Sequence, residues 1–84
     1  MSQILEEILD TYFEVAFIVA EGFNGAVIGV DDYDMRLVYS TDKCISILMD
    51  EQGWDYLDAA EHFYTHIANK YKGKRQPLFI NDNF

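Results

Sequence analysis

Cys44 is the only cysteine of this chain, so no internal disulfide can hold the fold together. Its histidines and cysteine do not stand at the spacings of a structural zinc site either. At 84 residues a domain buries a comparatively small share of its surface, and domains of this size lean on a staple or a partner. Two supports remain. One is dense packing of six Tyr, six Phe and one Trp. The other is self-association. The sequence predicts both, in a single domain spanning 1–84. A hydrophobic fraction of 50% excludes a disordered tail, and one unpaired cysteine fits a reducing compartment.

Hydrophobic spacing sets out the elements. Ile4, Leu5, Ile8, Leu9, Tyr12, Val15, Ala16 and Val19 recur at three and four, which predicts a first helix over 3–21. Ser2 is its expected cap, and Gly22 its expected stop, with Phe23 folding back on Ile18. A strand over 13–19 is the alternative, from the alternation of Phe13, Val15, Phe17 and Val19. Residues 26–31 and 36–40 read as a hairpin around the aspartate-rich turn 31–34, with a bulge at Gly29. Ser40, Thr41 and Asp42 offer caps for a second helix that ends at Gly53. Asp55 caps a third, with Leu57, Ala60, Phe63, Tyr64, Ile67, Ala68 and Tyr71 as its inner face and Gly73 as its end. Pro77 places Leu78-Phe79-Ile80 on a sheet edge, and 81–84 read as a loose tail. The order α-β-β-α-α-β predicts an α+β domain. Its two- or three-stranded antiparallel sheet, a hairpin plus a C-terminal edge strand, packs with three helices on one face. Its bare face or edge is a natural seat for a second copy.

Fifteen acidic against six basic residues give a net charge of −9. Direct nucleic-acid binding, which needs a basic face, is therefore not expected. The basic residues are concentrated, with Lys70, Lys72, Lys74 and Arg75 close together as candidates for an anion contact and Tyr71 among them to stack. Their ordinary role is to complement the negative end of a helix, and a third is to meet an acidic patch on a neighbouring copy. His62 and His66 stand one helical turn apart, on the side of the third helix away from its expected core face. They are the weak candidates for a metal pair, short of a full ligand set, and otherwise read as solvated. Asp31, Asp32 and Asp34 lack the Gly and Glu of a calcium loop. Cys44 lies beside Lys43 in the first turn of a helix, a setting that lowers a thiol pKa, although a core thiol is its ordinary role. Trp54 reads as a packing anchor. No catalytic or cofactor motif stands out, so no cofactor is expected. The stretch Tyr12–Ala20 is far shorter than a spanning helix of about 20 residues, and no leader pattern precedes it; a cytoplasmic protein is expected.

Several segments together carry a resemblance. Glu21-Gly22-Phe23, Ala26-Val27-Ile28-Gly29-Val30-Asp31 and Arg36-Leu37-Val38-Tyr39-Ser40 are followed by Lys43-Cys44-Ile45 and Ile47-Leu48-Met49. Ala60, His62-Phe63 and Pro77-Leu78-Phe79-Ile80 complete the set. Over roughly residues 21–80 this resembles a group of small proteins carried by bacteriophages, with no assigned reaction. The matching positions are mostly core and turn residues, so the resemblance implies a shared architecture and a place in a host cytoplasm.

Three functions follow as expectations. The first is a non-enzymatic, phage-like accessory protein acting by protein–protein contact as a homodimer or higher oligomer, with Tyr12, Phe13, Phe17 and Ile18 as its interface candidates. The second is an acidic decoy that mimics DNA toward a host nucleic-acid-binding protein. The third is a metal-dependent enzyme using His62 and His66.

Overall fold

The computed structural model describes residues 3–82. Its elements are α1 (Gln3–Thr11), β1 (Val27–Asp31), β2 (Arg36–Ser40), α2 (Thr41–Gln52), α3 (Tyr56–His62) and β3 (Leu78–Ile80). A 3₁₀ turn over Asn24–Ala26 precedes β1, and α3 runs on into one π-helical turn over Phe63–Ile67. This is the expected α+β order. The expected cap Ser2 lies outside the described residues.

The first helix is half the expected length. It ends at Thr11, where the Tyr12 N–H donates to Ile8 O at 2.9 Å and the Val15 N–H to Tyr12 O at 2.9 Å. Beyond it the chain runs without regular structure to Ala20. Val15, Ile18 and Val19 are β-branched, and Tyr12, Phe13 and Phe17 share the segment, a composition that loses side-chain freedom in a helix. The uncoiled segment gains a specific contact instead. The Ala20 N–H donates to the Tyr39 hydroxyl at 2.8 Å, with both residues buried. Gly22 does adopt a positive φ of 89°, but in a tight turn closed by the Phe23 N–H on Ala20 O at 3.1 Å rather than at a helix end.

The sheet has the order β1-β2-β3. β1 and β2 form the expected antiparallel hairpin, whose turn is braced by the Asp31 carboxylate accepting from the Tyr33 N–H at 3.1 Å. The register shifts between Val27 and Gly29, so the expected bulge is present. It has a structural consequence: Val27 and Val30, three residues apart, come to face the same side, opposite Tyr39 and Leu37. β3 takes the expected edge but pairs with β2 in parallel, Val38 with Leu78 and Tyr39 with Phe79, so the sheet is mixed rather than antiparallel. The two intervening helices form a crossover that returns the chain to the starting end of β2, which only a parallel pairing satisfies.

Ser40 joins three parts of the fold. Its hydroxyl caps α2 by accepting from the Lys43 N–H at 3.2 Å and donates to the Asp82 carboxylate at 2.6 Å. The tail expected to be loose from Asn81 is thus tied at Asp82, while Asn83 and Phe84 lie outside the described residues. Gly53, at φ 69°, ends α2 through a bond from its N–H to Met49 O, and the Asp55 carboxylate caps α3 through the Asp58 N–H at 2.9 Å.

The core centres on Leu37, Tyr39, Cys44, Ile45, Ala59 and Phe63, all at most 1% exposed. Tyr39, Phe79 and Phe63 form a chain of rings with centroids 5.4 and 5.2 Å apart, which joins β2, β3 and the end of α3. The buried face of α3 differs from the expected one. Ala59 and Phe63, one turn apart, point inward, whereas Leu57 is 76% and Tyr64 54% exposed. Of the expected inner face, Ala60, Phe63, Ile67, Ala68 and Tyr71 do pack in or against the core; Leu57 and Tyr64 do not, and the buried Ala59 takes a place that was not expected of it. The π turn, closed by the Ala68 N–H on Phe63 O at 2.9 Å, inserts an extra residue and keeps Ile67, Ala68 and Tyr71 against the core. Regular structure ends with this turn, short of the expected stop at Gly73.

Tyr39→Phe should cost about 1–3 kcal/mol, because it leaves the buried Ala20 N–H without an acceptor. Urea denaturation of the two proteins, compared at constant m-value, measures this.

Candidate functional site

α3 leaves the core with two flanks. One carries Asp58, His62 and His66, and Trp54 leans against it from the α2–α3 connection. Trp54 stands between Gly53, whose left-handed conformation turns the chain, and the cap residue Asp55, so its ring is directed by backbone geometry on both sides. Its centroid lies 5.0 Å from the His62 ring, and the His62 ring lies 4.9 Å from that of His66. The three rings line a cleft of about 290 Å³ together with Asp58, Glu61 and Thr65. Trp54 packs partly on the core, as an anchor would, and also forms the end wall of this cleft.

The two histidines are therefore brought together, on the side away from the core, in a partly enclosed place. Among the described residues no group of three His, Cys, Asp or Glu side chains is arranged to hold a metal ion. This covers the hairpin aspartates as well, where Asp31 is engaged with the backbone of its own turn.

The basic candidates are exposed but do not form one patch. Lys74 and Arg75 line an open cleft with Tyr33, Asp34 and Met35 of the hairpin turn. Lys70 instead lies over the ring of Tyr71, with its ammonium 5.6 Å from the centroid, and Tyr71 packs against the core. A residue expected to stack on a ligand is thus engaged with the core and with a neighbouring lysine. Lys72 is exposed, and Arg36 donates from Nε to Gln76 O at 2.8 Å and ties the base of the hairpin to the segment before β3.

The interface candidates divide in the same way. Phe13 is 79% exposed. Tyr12 and Phe17 are half-buried, meet edge to face at 6.3 Å and pack against the core. Ile18 is half-buried near Gly73.

Sequence reasoning did not single out one apolar surface. Gly29 and Val38 pair across the hairpin, and Val38 and Leu78 pair across the parallel ladder. With Ile80 they lie on the face of the sheet turned away from Tyr39 and Leu37, which alternation makes them share with Arg36 and Ser40. None of these side chains belongs to the core cluster or to the partly buried groups packed on it. The signal in the sequence is the alternation of the strands, which puts Val38, Leu78 and Ile80 opposite Leu37, Tyr39 and Phe79.

Burial decides the chemistry of Cys44. Desolvation pushes its thiol up to about 12, so the lowering expected from Lys43 and the helix start does not occur. Burial also raises Tyr39 above the ordinary tyrosine value, an effect that the hydrogen bond from Ala20 partly offsets. No family model, curated protein or solved structure matches this chain.

Both groups hold their protons more tightly in the folded than in the unfolded chain. The Cys44 contribution is complete below the ordinary thiol value of 9.0 and is lost as the pH rises from there through the folded value of about 12, and the Tyr39 contribution is lost only above the ordinary tyrosine value of 10.0. The melting temperature should therefore fall from pH 9 upward, and Cys44→Ala should flatten the decline. The native thiol should resist alkylation at neutral pH and react once the protein is unfolded.

Proposed function

We propose that this chain acts by protein–protein contact rather than catalysis, and that it associates first with a second copy of itself. The observation that carries this reading is the outer sheet face of Val38, Leu78 and Ile80, with the flat Gly29 beside them. A sheet normally buries at least one face, and an apolar row on the other face calls for a cover of its own. The helices supply one layer. A second copy, packed sheet to sheet at about 10 Å, supplies the other. The resemblance to bacteriophage-carried proteins fits an accessory role of this kind, exercised in the cytoplasm of a host.

A decoy function is the second reading, favoured by a particular arrangement. Asp50, Glu51, Asp55, Asp58 and Glu61 follow one another along the end of α2 and the start of α3, all exposed. Under that reading, a nucleic-acid-binding protein held by the chain is released by duplex DNA and by salt.

Size-exclusion chromatography with light scattering should show the wild type as a dimer. Val38→Lys should convert it to a monomer with unchanged far-UV circular dichroism. A folded wild-type monomer at about 100 μM, far above the range of a specific micromolar contact, overturns the proposal. So does a dimer that survives Val38→Lys and dissociates only with Phe13→Ser, since the interface would then lie at the α1 end.

A further inference from the structure

The cleft between Trp54 and α3 has a chemistry that neither self-association nor the overall acidity explains. We propose that it is a binding site for an organic cation of the guanidinium or alkylammonium class, held against the Trp54–His62–His66 rings by the carboxylates of Asp58 and Glu61.

Four observations lead there. Trp54, His62 and His66 stand in sequence as a ladder of rings 5.0 and 4.9 Å apart, and they line the wall of a cleft, although Trp54 also packs in part on the core. Aromatic faces attract cations, tryptophan most strongly. Two carboxylates, Asp58 and Glu61, share the same lining, and no Lys or Arg does. An anion is therefore repelled where a cation is drawn in. The volume of about 290 Å³ suits a single side-chain head group. Lastly, His66 lies within the π turn Phe63–Ile67, a rare element that recurs at functional sites.

A metal ion fits less well. The two imidazoles have no third protein ligand among the described residues. A planar guanidinium needs none, because it can lie over a ring while its N–H groups donate to carboxylates at the rim.

Trp54 is the only tryptophan of the chain, so its fluorescence reports on the cleft alone. The probes are N-acetyl-arginine amide and a short peptide with one central arginine, each paired with its citrulline counterpart, which has the same shape without the charge. Both arginine probes should change the emission saturably, and the citrulline probes should not. Binding of the free amide and the peptide with equal affinity identifies a small cation as sufficient; binding of the peptide alone identifies a protein segment as the source. The double variant Asp58→Asn/Glu61→Gln should weaken binding at least roughly tenfold, the loss expected when two charge contacts are removed. Ser46→Ala, on the exposed side of α2, should leave it unchanged. If the double variant loses its circular dichroism, Glu61→Gln alone replaces it, and raising the salt to about 0.5 M should weaken wild-type binding severalfold. Equal response to arginine and citrulline, no response at all, or wild-type affinity in the folded carboxylate variant overturns the assignment.

Discussion

The hydroxyl of Tyr39 determines how the first quarter of the chain is used. It is buried at the centre of the sheet, where an unpaired phenol would be costly, and the group that satisfies it is the main-chain N–H of Ala20. That bond requires residue 20 to expose its N–H to a side chain instead of an intrahelical carbonyl, so a helix continuing through 20 is incompatible with it. The uncoiled 15–20 segment, the turn at Gly22 and the placement of Phe17 and Val19 over the core all follow from one buried polar atom. The ring of Tyr39 works in the other direction, through Phe79 to Phe63, and so joins the edge strand and α3 to the same point. A chain without a disulfide thus concentrates its long-range order on one residue that both packs and bonds.

Much of this was legible in the residues. Ser40, Gly53 and Asp55 are where caps and stops were expected because the first and last turns of a helix present groups that only such residues satisfy cheaply. The bulge at Gly29 was visible as a glycine in an otherwise branched strand. What escaped was long-range. The apolar spacing through Val19 is a real property of residues 3–21, but spacing does not register that Tyr39 needs a donor. The direction of β3 depends on where two helices deliver the chain, which no local pattern in Leu78-Phe79-Ile80 encodes. On α3 the spacing picked out Ala60, Phe63, Ile67, Ala68 and Tyr71, but side-chain size also drew in the exposed Leu57 and Tyr64 and passed over the small, fully buried Ala59.

The candidate site was legible only in fragments. The pairing of His62 and His66 follows from helical spacing, and Trp54 was visible as a singular residue at a helix start. Their convergence with Asp58 and Glu61 requires the left-handed turn at Gly53 to carry the indole back over the first turns of α3. The basic cluster shows the opposite failure. Four cations close in sequence suggested one anion site, but Lys70 lies over a tyrosine ring while Lys74 and Arg75 line the cleft beside the hairpin tip.

α3 explains why fold and site are hard to separate in this chain. Phe63 closes the aromatic core and also begins the π turn, so the residue that fixes the helix against the sheet also sets where His66 stands relative to His62. Trp54 packs on the core with part of its ring and lines the cleft with the rest. In a domain this small the interior has no layer to spare between packing residues and surface residues. A site is then built most economically on the outward side of side chains whose inward side already serves the core. The carboxylates of Asp58 and Glu61 are the exception. Both are exposed and neither supports a core contact, so they are the positions at which the character of the cleft can change without altering the fold that forms it.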